Sequence, residues 1–376
     1  SFSTPRKILG PERYQVRMAI DQSDGTVGRI HLVWLESTTP APTGGLPDTR
    51  NPILSAYSDD GGTTFSSPVQ VSDSSRLHAV APAVALGPNH TVDVVYYDLG
   101  ADVRDYLGLD GPPWTASKWS LVATHSSDGG DHFSAGHVVD LDIAPPGRVM
   151  LIFTMAPASF AVDDSGRLFV AWHDARNGDW DVFLRRSTDA GQTWGTLERL
   201  NDDPLHDGRD QYLPRLSVSP SGRVDAIFYD RRGDTDNVGT NVYYTWSDDH
   251  GETFHRNLRI NEVTFSSIVG PRYTVPSARG LIEFGSRIAL YSTNTEVLAA
   301  WTDTSNTRAG VKAQDIAATE IDFASVSSPA TALQWSGVSL AAIGVAGLVT
   351  LAWVWARSRR ARPSRLSPRV RTRGLA

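Results

Sequence analysis

The sequence contains no cysteine and almost no lysine. Without cysteine, disulfide bonds and thiolate metal sites are excluded. A chain of 376 residues can bury a sizeable core without covalent cross-links, so the absence of cysteine does not exclude an exported protein. Lys7, Lys118 and Lys312 are the three lysines, and arginine supplies the remaining positive charge.

Acidic residues are absent after Asp322, whereas eight arginines lie between Arg357 and Arg373. The formal net charge of −7 therefore conceals an acidic body and a basic tail. Because a nucleic-acid partner requires a basic face, the acidic body argues against nucleic-acid binding. The sequence also lacks a glycine-rich phosphate loop, an HExxH motif and a GxSxG motif.

Charge is also absent from residues 336–356, which read SGVSLAAIGVAGLVTLAWVWA. A helix of this length spans the roughly 30 Å hydrocarbon core of a bilayer. Trp335 precedes the segment, and Trp353 and Trp355 lie at its other end, where aromatic rings favour the membrane interface. The arginine-rich residues 357–376 fit the positive-inside rule. We expect a single-pass protein of the cell membrane, with an ectodomain at 1–322, a linker at 323–335, a transmembrane helix at 336–356 and a basic cytoplasmic tail at 357–376.

An eight-residue pattern recurs four times in the expected ectodomain. The copies read SDDGGTTF from Ser58, SSDGGDHF from Ser126, STDAGQTW from Ser187 and SDDHGETF from Ser247, with His132 once in place of Thr. Ser and Asp side chains accept hydrogen bonds from backbone N–H groups in turns, and glycine tolerates a positive φ. We interpret the pattern as a structural turn built by Ser58, Asp60, Gly62, Ser126, Asp128, Gly130, Ser187, Asp189, Gly191, Ser247, Asp249 and Gly251.

Alternating apolar segments surround these turns. IHLVWLE, VDVVYYD, LFVAWHD, VDAIFYD and VLAAWTD each carry an aromatic residue two positions before a final acid. APAVALGP, APASFAVDDSG, LPRLSVSPSG and VPSARGL precede four of them, and a further strand follows each turn. Such units of four antiparallel strands, A to D, are typical of β-propeller blades. We expect five units at residues 14–72, 78–142, 154–202, 211–262 and 273–321.

The N-terminal residues pose a question about the number of blades. SFSTPRKILG, residues 1–10, matches TFSSPVQVS at 64–72 and predicts an isolated outer strand, D. This strand either completes the fifth unit, which has no turn of the repeated type, or belongs to a sixth blade. Since the sequence starts with Ser, we expect a mature form or a fragment. The fold prediction is an all-β propeller with five visible blades and six in the full-length gene.

The repeats resemble the Asp-box, or bacterial neuraminidase repeat, of the sialidase-like β-propeller superfamily, and the resemblance covers residues 1–321. It implies that Phe65, Phe133, Trp194 and Phe254 pack between neighbouring sheets. It also implies a possible exo-sialidase-type glycoside hydrolase that cleaves terminal sialic-acid-like sugars. Family sialidases hold the substrate carboxylate with three arginines and use a tyrosine nucleophile, a glutamate and an aspartic acid.

The family's first arginine lies in an Arg-Ile-Pro motif, from which this sequence departs. Arg17 in YQVRMAID has no proline beside it, and Arg215 in LPRLS follows Pro214 instead of preceding it. Alignment of the repeats puts Arg17 and Arg215 at equivalent positions. The resemblance therefore carries over the scaffold but not the active site, and the catalytic candidates are Arg17, Arg215, Arg272, Tyr273 and Asp230.

Strand geometry separates two faces of the expected propeller. The A–B and C–D turns share one face, called here the Asp-box face, and the B–C and D–A loops share the other, the loop face. Long loops on a rigid scaffold usually carry function. Acids, arginines and tyrosines on the loop face suit an anionic or polyhydroxyl ligand, but they can equally pair with one another to cap strands. The ligand-binding candidates there are Asp174, Arg176, His206, Asp207, Arg209, Tyr212, Arg231 and Arg232.

Two main function classes follow from these patterns. The first is a cell-surface propeller that binds a glycan or protein ligand on its loop face without established catalysis, and the second is the exo-sialidase. A spacer domain without a specific ligand is a third reading. The loops DRRGDTDN and DLGADVRDYLGLDG offer oxygen ligands for Ca²⁺, but neither has the spacing of a known calcium loop. We expect no obligatory cofactor or metal.

Overall fold

The computed structural model describes residues 7–8, 13–21, 28–36, 51–76, 78–100, 119–143, 157–269, 288–306, 314–323 and 368–372. Within these ranges the protein is all-β, apart from a 3₁₀ turn at Pro88–His90. The strands form five antiparallel sheets, each with four strands in chain order. These observations confirm the predicted all-β fold and the division of the chain into four-stranded units.

Each sheet is called a blade, and its strands are numbered along the chain. Blade 1 contains β1 (Arg13–Ile20), β2 (Ile30–Glu36), β3 (Ile53–Ser58) and β4 (Val69–Gln70). Blade 2 contains β5 (Ala79–Leu86), β6 (Val92–Asp98), β7 (Trp119–Ser126) and β8 (His137–Ile143). Blade 3 contains β9 (Ser159–Val162), β10 (Leu168–Asp174), β11 (Asp181–Ser187) and β12 (Glu198–Arg199). Blade 4 contains β13 (Gln211–Val218), β14 (Val224–Asp230), β15 (Gly239–Ser247) and β16 (Leu258–Arg259), with β17 (Phe265–Ser266) paired to β15. Blade 5 contains β18 (Ala289–Ser292), β19 (Glu296–Asp303), β20 (Asp315–Phe323) and β21 (Pro368–Thr372).

The blades follow one another around a common centre. The first strand of each blade contacts the first strand of the next, from β1 to β5, β9, β13 and β18. Later strands of each blade lie progressively farther out, since every strand pairs with its chain neighbours. This is the architecture of a β-propeller, in which the innermost strands line the central channel.

Apolar side chains fill the spaces between consecutive blades. One buried cluster includes Val33, Tyr96 and Trp172 from blades 1 to 3, and a second joins Phe169 of blade 3 to Phe228 of blade 4. A third cluster joins blades 4 and 5. Phe133, Trp194 and Phe254 are partly buried against clusters that join neighbouring blades, as predicted. Phe65 instead packs against Leu32, Trp34 and Ala56 of its own blade.

The outer faces of blades 1 and 5 differ from these interfaces because they expose apolar side chains. Met18 of β1 is 63% exposed, whereas Leu216, at the equivalent position of blade 4, is 5% exposed. On blade 5, Tyr291 is 67% exposed and Leu298 opposite it is also exposed. On blade 1 this exposure is confined to the innermost strand, because Leu32, opposite Met18, and Trp34 are buried. The number of blades in the full-length protein stays a prediction.

Blade 5 differs from its predicted form at its first strand. The sequence pattern predicted that strand at VPSARGL, residues 275–281, which lie outside the described residues. The structure instead forms β18 from Ala289–Ser292. A tight turn makes this pairing favourable, because the N–H of Thr293 donates to the carbonyl of Glu296 at 2.8 Å and leads directly into β19.

The outer strand of blade 5 comes from the basic C-terminal segment. Phe323 of β20 lies opposite Pro368 of β21, and the two strands run antiparallel. A tail paired with this blade and a tail on the cytoplasmic side of a membrane are alternative arrangements. Most of the expected N-terminal strand 1–10, the linker and the apolar segment 336–356 lie outside the described residues. In the part of the chain that is described, no helix has the length and apolar character needed to cross a bilayer.

Candidate ligand-binding site

The four repeated turns use the same hydrogen bonds to fold. In the third copy, the hydroxyl of Ser187 donates to Asp189 at 2.7 Å and accepts the N–H of Gly191 at 2.9 Å. Asp189 also accepts the N–H and the hydroxyl of Thr193 at 2.9 and 2.5 Å. Gly191 has a φ of 79°, in the left-handed region that favours glycine. Each polar group of the turn is thus used to hold the turn itself.

These hydrogen bonds also fix the charge of the turn aspartates. Hydrogen bonds within the turn lower the pKa of Asp60, Asp128, Asp189 and Asp249 to about 2. Burial opposes this shift, and its effect is largest at Asp249. In the second copy the imidazole of His132 replaces the Thr hydroxyl and contacts Asp128 at 2.7 Å. An aspartate held as a stable anion by local donors is poorly suited to proton transfer near neutral pH.

The Asp-box face also carries the A–B turns, as strand geometry predicts. Arg29, just before β2, donates to Asp59 at 2.7 Å and to the carbonyl of Gly129 in the next blade at 2.7 Å. Arg167 of blade 3 lies 3.3 Å from His250 in the turn of blade 4. The repeated turn of one blade therefore rests on the preceding blade, which gives it a role in blade packing.

On the loop face, Asp174 and Arg176 form a closed ion pair. Asp174 ends β10 and is fully buried. Its carboxylate accepts the indole N–H of Trp172 at 2.8 Å, the backbone N–H of Arg176 at 2.9 Å and the guanidinium of Arg176 at 2.7 Å. The same guanidinium reaches Asp140 of blade 2 at 3.0 Å. Burial raises the pKa of Asp174, and the pairing with Arg176 opposes that shift.

Asp230 and Arg232 repeat this arrangement at the end of β14. The buried carboxylate of Asp230 accepts the backbone N–H of Arg232 at 2.7 Å and its guanidinium at 2.7–2.8 Å. Arg232 also contacts Asp202 at 2.5 Å and the side-chain oxygen of Asn257 at 2.7 Å. Burial raises the pKa of Asp230. Its carboxylate, one of the catalytic candidates, therefore faces protein partners rather than a solvent-filled site.

Arg231 lies on the other side of the same loop. Its guanidinium pairs with Asp210 at 3.0 Å, donates to Ser267 at 2.9 Å and lies 4.6 Å from the centre of the Tyr212 ring. Tyr212 is buried, and its hydroxyl is 3.2 Å from that of Thr240. Burial raises the pKa of Tyr212, which disfavours the phenolate. Arg231 and Tyr212 thus stabilise the loop and its packing on the strands beneath it.

The remaining candidates lie on the loop between blades 3 and 4. His206 is exposed, has a φ of 59° and contacts the carbonyl of Asn177 through its Nδ1. Asp207 accepts the backbone N–H of Arg209 at 2.8 Å. Backbone N–H groups that donate to Asp234 lower the pKa of that carboxyl, and the positive charge of Arg209 lowers it further. The loop is therefore held by one local hydrogen bond and by contacts with two other loops.

The centre of the propeller contains a different kind of site, built by bulges in the innermost strands. In blade 4, Leu213 and Pro214 together lie opposite one residue of β14, and pairing resumes at Arg215. Blade 1 has the same register shift just before Arg17, and Leu213 and its equivalent Gln15 have φ values of 52° and 53°. Bulges re-aim the side chains that follow them.

The register places five residues at one equivalent position, which follows a bulge in blades 1, 2 and 4. Arg17, Ala83, Ser159, Arg215 and Ala289 each lie opposite the fourth residue of the repeated second-strand motif. Two of the five carry a charge, and both charges are positive. The equivalence of Arg17 and Arg215 that the repeats predicted is therefore present in the structure.

Arg17 and Arg215 lie close enough to interact electrostatically. Burial and the positive charge of Arg215 lower the pKa of Arg17. Partial burial also lowers the pKa of Arg215, although much of its side chain stays exposed to solvent. Arg17 donates to the carbonyl of Val16 at 3.2 Å, and within the described ranges no carboxylate pairs with either guanidinium. Both groups stay protonated because a guanidinium is not deprotonated in proteins near neutral pH. Two like charges at equivalent positions of the innermost strands, one of them exposed to solvent, have the chemistry to bind an anionic group.

The other two catalytic candidates, Arg272 and Tyr273, lie outside the described residues. Sequence reasoning missed two residues that support the centre, His173 and Ser159, because their contacts cross from one blade to the next. Pro214 was an available signal for the bulge, since proline within a strand is confined to edges and bulges.

Sequence reasoning also missed concave surfaces on the Asp-box face. A depression of about 400 Å³ lies between blades 1 and 2, and a second of about 630 Å³ extends to blade 3. Asp21 and His90 border both, with 2.5 Å between the Asp21 carboxylate and the His90 Nδ1. Arg29, which lines the first, is already paired with Asp59.

The acid-rich loop DRRGDTDN uses its oxygens for the backbone. Asp234 accepts the N–H groups of Asp236, Val238 and Gly239. Most of the second loop, DLGADVRDYLGLDG, lies outside the described residues. Among the described residues, a different group, Glu296, Glu320 and Asp322 on blade 5, has the spacing of metal ligands.

A family model described as BNR repeat-like domain matches residues 53–309. This chain belongs to that family. The match covers blades 2 to 4 and parts of blades 1 and 5, and it agrees with the resemblance carried by the four Asp-box copies. No curated protein gives a significant match to the sequence.

Several solved structures are similar to this BNR repeat protein at low identity. A protein of unknown function from Dyadobacter fermentans is 16% identical, with a TM-score of 0.45 over 82% of this chain and 94% of that chain. The NanB sialidase of Streptococcus pneumoniae is 11% identical, with a TM-score of 0.44 over 85% of this chain and 60% of that chain. An α-L-arabinanase of Penicillium chrysogenum is 13% identical, with a TM-score of 0.49 over 85% of this chain and 91% of that chain.

Proposed function

We propose that this protein is a glycan-binding propeller whose ligand carries an anionic group held by Arg17 and Arg215. The observation that carries the proposal is the pair of guanidinium groups at equivalent positions around the centre, with no carboxylate partner among the described residues. Membership in the BNR repeat-like family supports a glycan-related function.

The contrast with the loop-face arginines strengthens this choice of site. Arg176, Arg231 and Arg232 each pair with aspartates, so their charge is already neutralised by the protein. An anion that displaced those aspartates would leave a buried carboxylate unpaired, which is costly. At Arg17 and Arg215 an incoming anion instead relieves repulsion between two like charges. The loop face then frames the entrance to the centre, because the innermost strands begin there.

A carboxylate-bearing sugar fits this arrangement. A guanidinium offers donors in a planar fork that matches the two oxygens of a carboxylate, and such charge-assisted bonds are about twice as strong as neutral ones. Sugar hydroxyls would add hydrogen bonds to polar groups around the channel. A neutral sugar has no group that relieves the repulsion between Arg17 and Arg215, so we expect it to bind more weakly.

The second candidate function is hydrolysis of a terminal sialic-acid-like sugar. It is favoured by the same arginine pair, since family sialidases hold the substrate carboxylate with arginines. Hydrolysis also requires a nucleophile and an acid near the sugar. Asp230 and Tyr212 are engaged in buried contacts, so these roles would fall to residues such as Tyr273.

A cell-surface location belongs to the same proposal, and it requires the basic tail to lie in the cytoplasm instead of pairing with β20 as β21. Its support is the apolar segment 336–356 followed by a basic tail, as seen in the sequence. Fractionation of cells that express the full chain, with protease treatment of intact cells, tests it. Recovery in the membrane fraction with a protected C-terminal tag is expected, and recovery in the supernatant after a high-salt wash would argue against it.

The proposed function is tested with the full chain in detergent on two matched ligands. Isothermal titration with the methyl α-glycoside of N-acetylneuraminic acid should show binding, whereas methyl β-galactoside should bind much more weakly. A fluorogenic sialoside run in parallel separates binding from turnover. Equal affinity for the acidic and the neutral ligand would refute the anion site, and turnover that is lost in Arg17→Gln and Arg215→Gln would favour the sialidase.

A further inference from the structure

The innermost strand of blade 4 holds a strained bulge directly before Arg215. Leu213 has a φ of 52°, a conformation that costs energy for a branched residue and persists only where surrounding contacts enforce it. Leu213 and Pro214 share one partner residue on β14, so the N–H of Leu213 lacks its regular place in the ladder. The hydrogen bonds to the backbone N–H groups of this bulged strand therefore determine the position of Arg215.

Two side chains of blade 3 supply those contacts. The N–H of Leu213 donates to Nδ1 of His173 at 3.4 Å, and the N–H of Leu216 donates to the hydroxyl of Ser159 at 2.8 Å. These two N–H groups lie on either side of Arg215 in the strand. Both acceptors are buried, so water does not readily replace them.

His173 has the protonation state that this contact needs. Burial lowers its pKa to about 4, and no charged residue adds to the shift. The Trp180 ring, with its centre 5.5 Å away, packs beside it, and the neighbouring Asp174 is paired with Arg176. The imidazole is therefore neutral near pH 7. Because Nδ1 accepts the N–H of Leu213, the proton lies on Nε2, which has no hydrogen-bond partner among the described residues.

Blade 2 has a similar contact to its bulge, but the residue that follows that bulge is uncharged. The N–H of Ala81, which has a φ of 51°, donates to the side-chain oxygen of Gln15 in blade 1 at 2.6 Å. The residue that follows this bulge is Ala83. An acceptor on one blade that fixes the bulge of the next is thus a repeated feature, and in blade 4 it fixes an arginine.

We propose that His173 and Ser159 are positioning residues that hold Arg215 in place for an anionic ligand. The inference rests on the proposed function of the Arg17–Arg215 site and extends it to a neighbouring blade. Neither residue contacts the ligand in this arrangement. Each acts through the backbone of β13, so its removal should matter only when Arg215 is present to be positioned.

The test is a double-mutant cycle with the methyl α-glycoside of N-acetylneuraminic acid as the probe. His173→Leu and Ser159→Ala are made in the wild-type chain and in Arg215→Ala, and the unfolding midpoint of every variant is recorded. In the wild-type background each should weaken binding roughly fivefold, the effect of one hydrogen bond. In the Arg215→Ala background neither should change the affinity further.

His173→Gln is the conservative control, since its side-chain oxygen can accept the N–H of Leu213. It should recover most of the affinity lost in His173→Leu. Equal losses in both backgrounds, or unchanged affinity in the wild-type background, would overturn the positioning role while leaving the anion site intact. Absence of probe binding to the wild-type chain would overturn the proposed function and this role together. Ser159→Ala removes one hydroxyl and keeps the test decisive where His173→Leu fails to fold.

Discussion

The positive charge of Arg215 lowers the pKa of Arg17, although the two residues belong to blades 4 and 1. Each follows the bulge of an innermost strand and occupies the same position in its repeat. Neighbouring like charges repel and destabilise the folded protein unless another interaction compensates for the repulsion. The anionic ligand proposed above would account for this pair, whereas the arginines of the loop face have aspartate partners within the protein.

The ion pair of Asp174 and Arg176 is predicted to be structural. Asp174→Ala leaves a guanidinium in a partly buried site without its main partner and should lower the free energy of unfolding by about 3 kcal/mol. Asp59→Ala, which breaks the more exposed pair with Arg29, is the matched control and should cost less than about 1 kcal/mol. Urea unfolding measures both. Loss of sialoside binding in Asp174→Ala without loss of stability would show that the rim binds ligand directly.

The aspartates of the repeated turns predict an acid-sensitive stability. Their pKa is about 2 in the folded protein, against an ordinary value of 3.8, so they favour folding above pH 4 and lose this contribution as the pH falls to about 2. The urea midpoint should therefore drop over this range. A variant with Asn at all four positions should be less stable at pH 7 and show a shallower drop. Asp164→Asn is the control, and an equally steep drop in the fourfold variant would refute the role of the turns.

The exposed faces of blades 1 and 5 predict an asymmetry between equivalent positions. Met18→Glu should change the free energy of unfolding by less than about 0.5 kcal/mol, because the side chain is already in water. Leu216→Glu, at the matching position of blade 4, buries a charge and should cost more than about 3 kcal/mol. Thermal and urea unfolding provide the comparison. Similar large losses at both sites would show that another part of the protein covers the face of blade 1.

Most of the scaffold could be predicted from the sequence because its signals are local. The turn around Asp189 is defined by residues within five positions, and the apolar run of LFVAWHD indicates a buried strand. The predicted alternation is wrong for β10, because all seven of its positions are buried between neighbouring blades. The equivalence of Arg17 and Arg215 followed from the same repetition. Each of these features depends on a short segment read against its own copies.

The partners of the loop-face charges could not be predicted in the same way. Arg176 pairs with its near neighbour Asp174 but also with Asp140, a residue of another blade. Such contacts depend on how blades pack, which a repeat pattern does not encode. The support of Leu213 by His173 has the same origin. Pro214 indicated a bulge, but the residue that stabilises it lies on a different repeat.

The most direct test of the anion site measures the affinity of the methyl α-glycoside of N-acetylneuraminic acid for Arg17→Gln, Arg215→Gln and the double variant. Each single substitution removes one charge-assisted contact and should weaken sialoside binding at least about tenfold. The double variant should bind the sialoside no more tightly than it binds methyl β-galactoside. Because each variant removes repulsion between the two arginines, none should be less stable than the wild type. Wild-type affinity in the double variant would contradict the assignment of this centre as the ligand site.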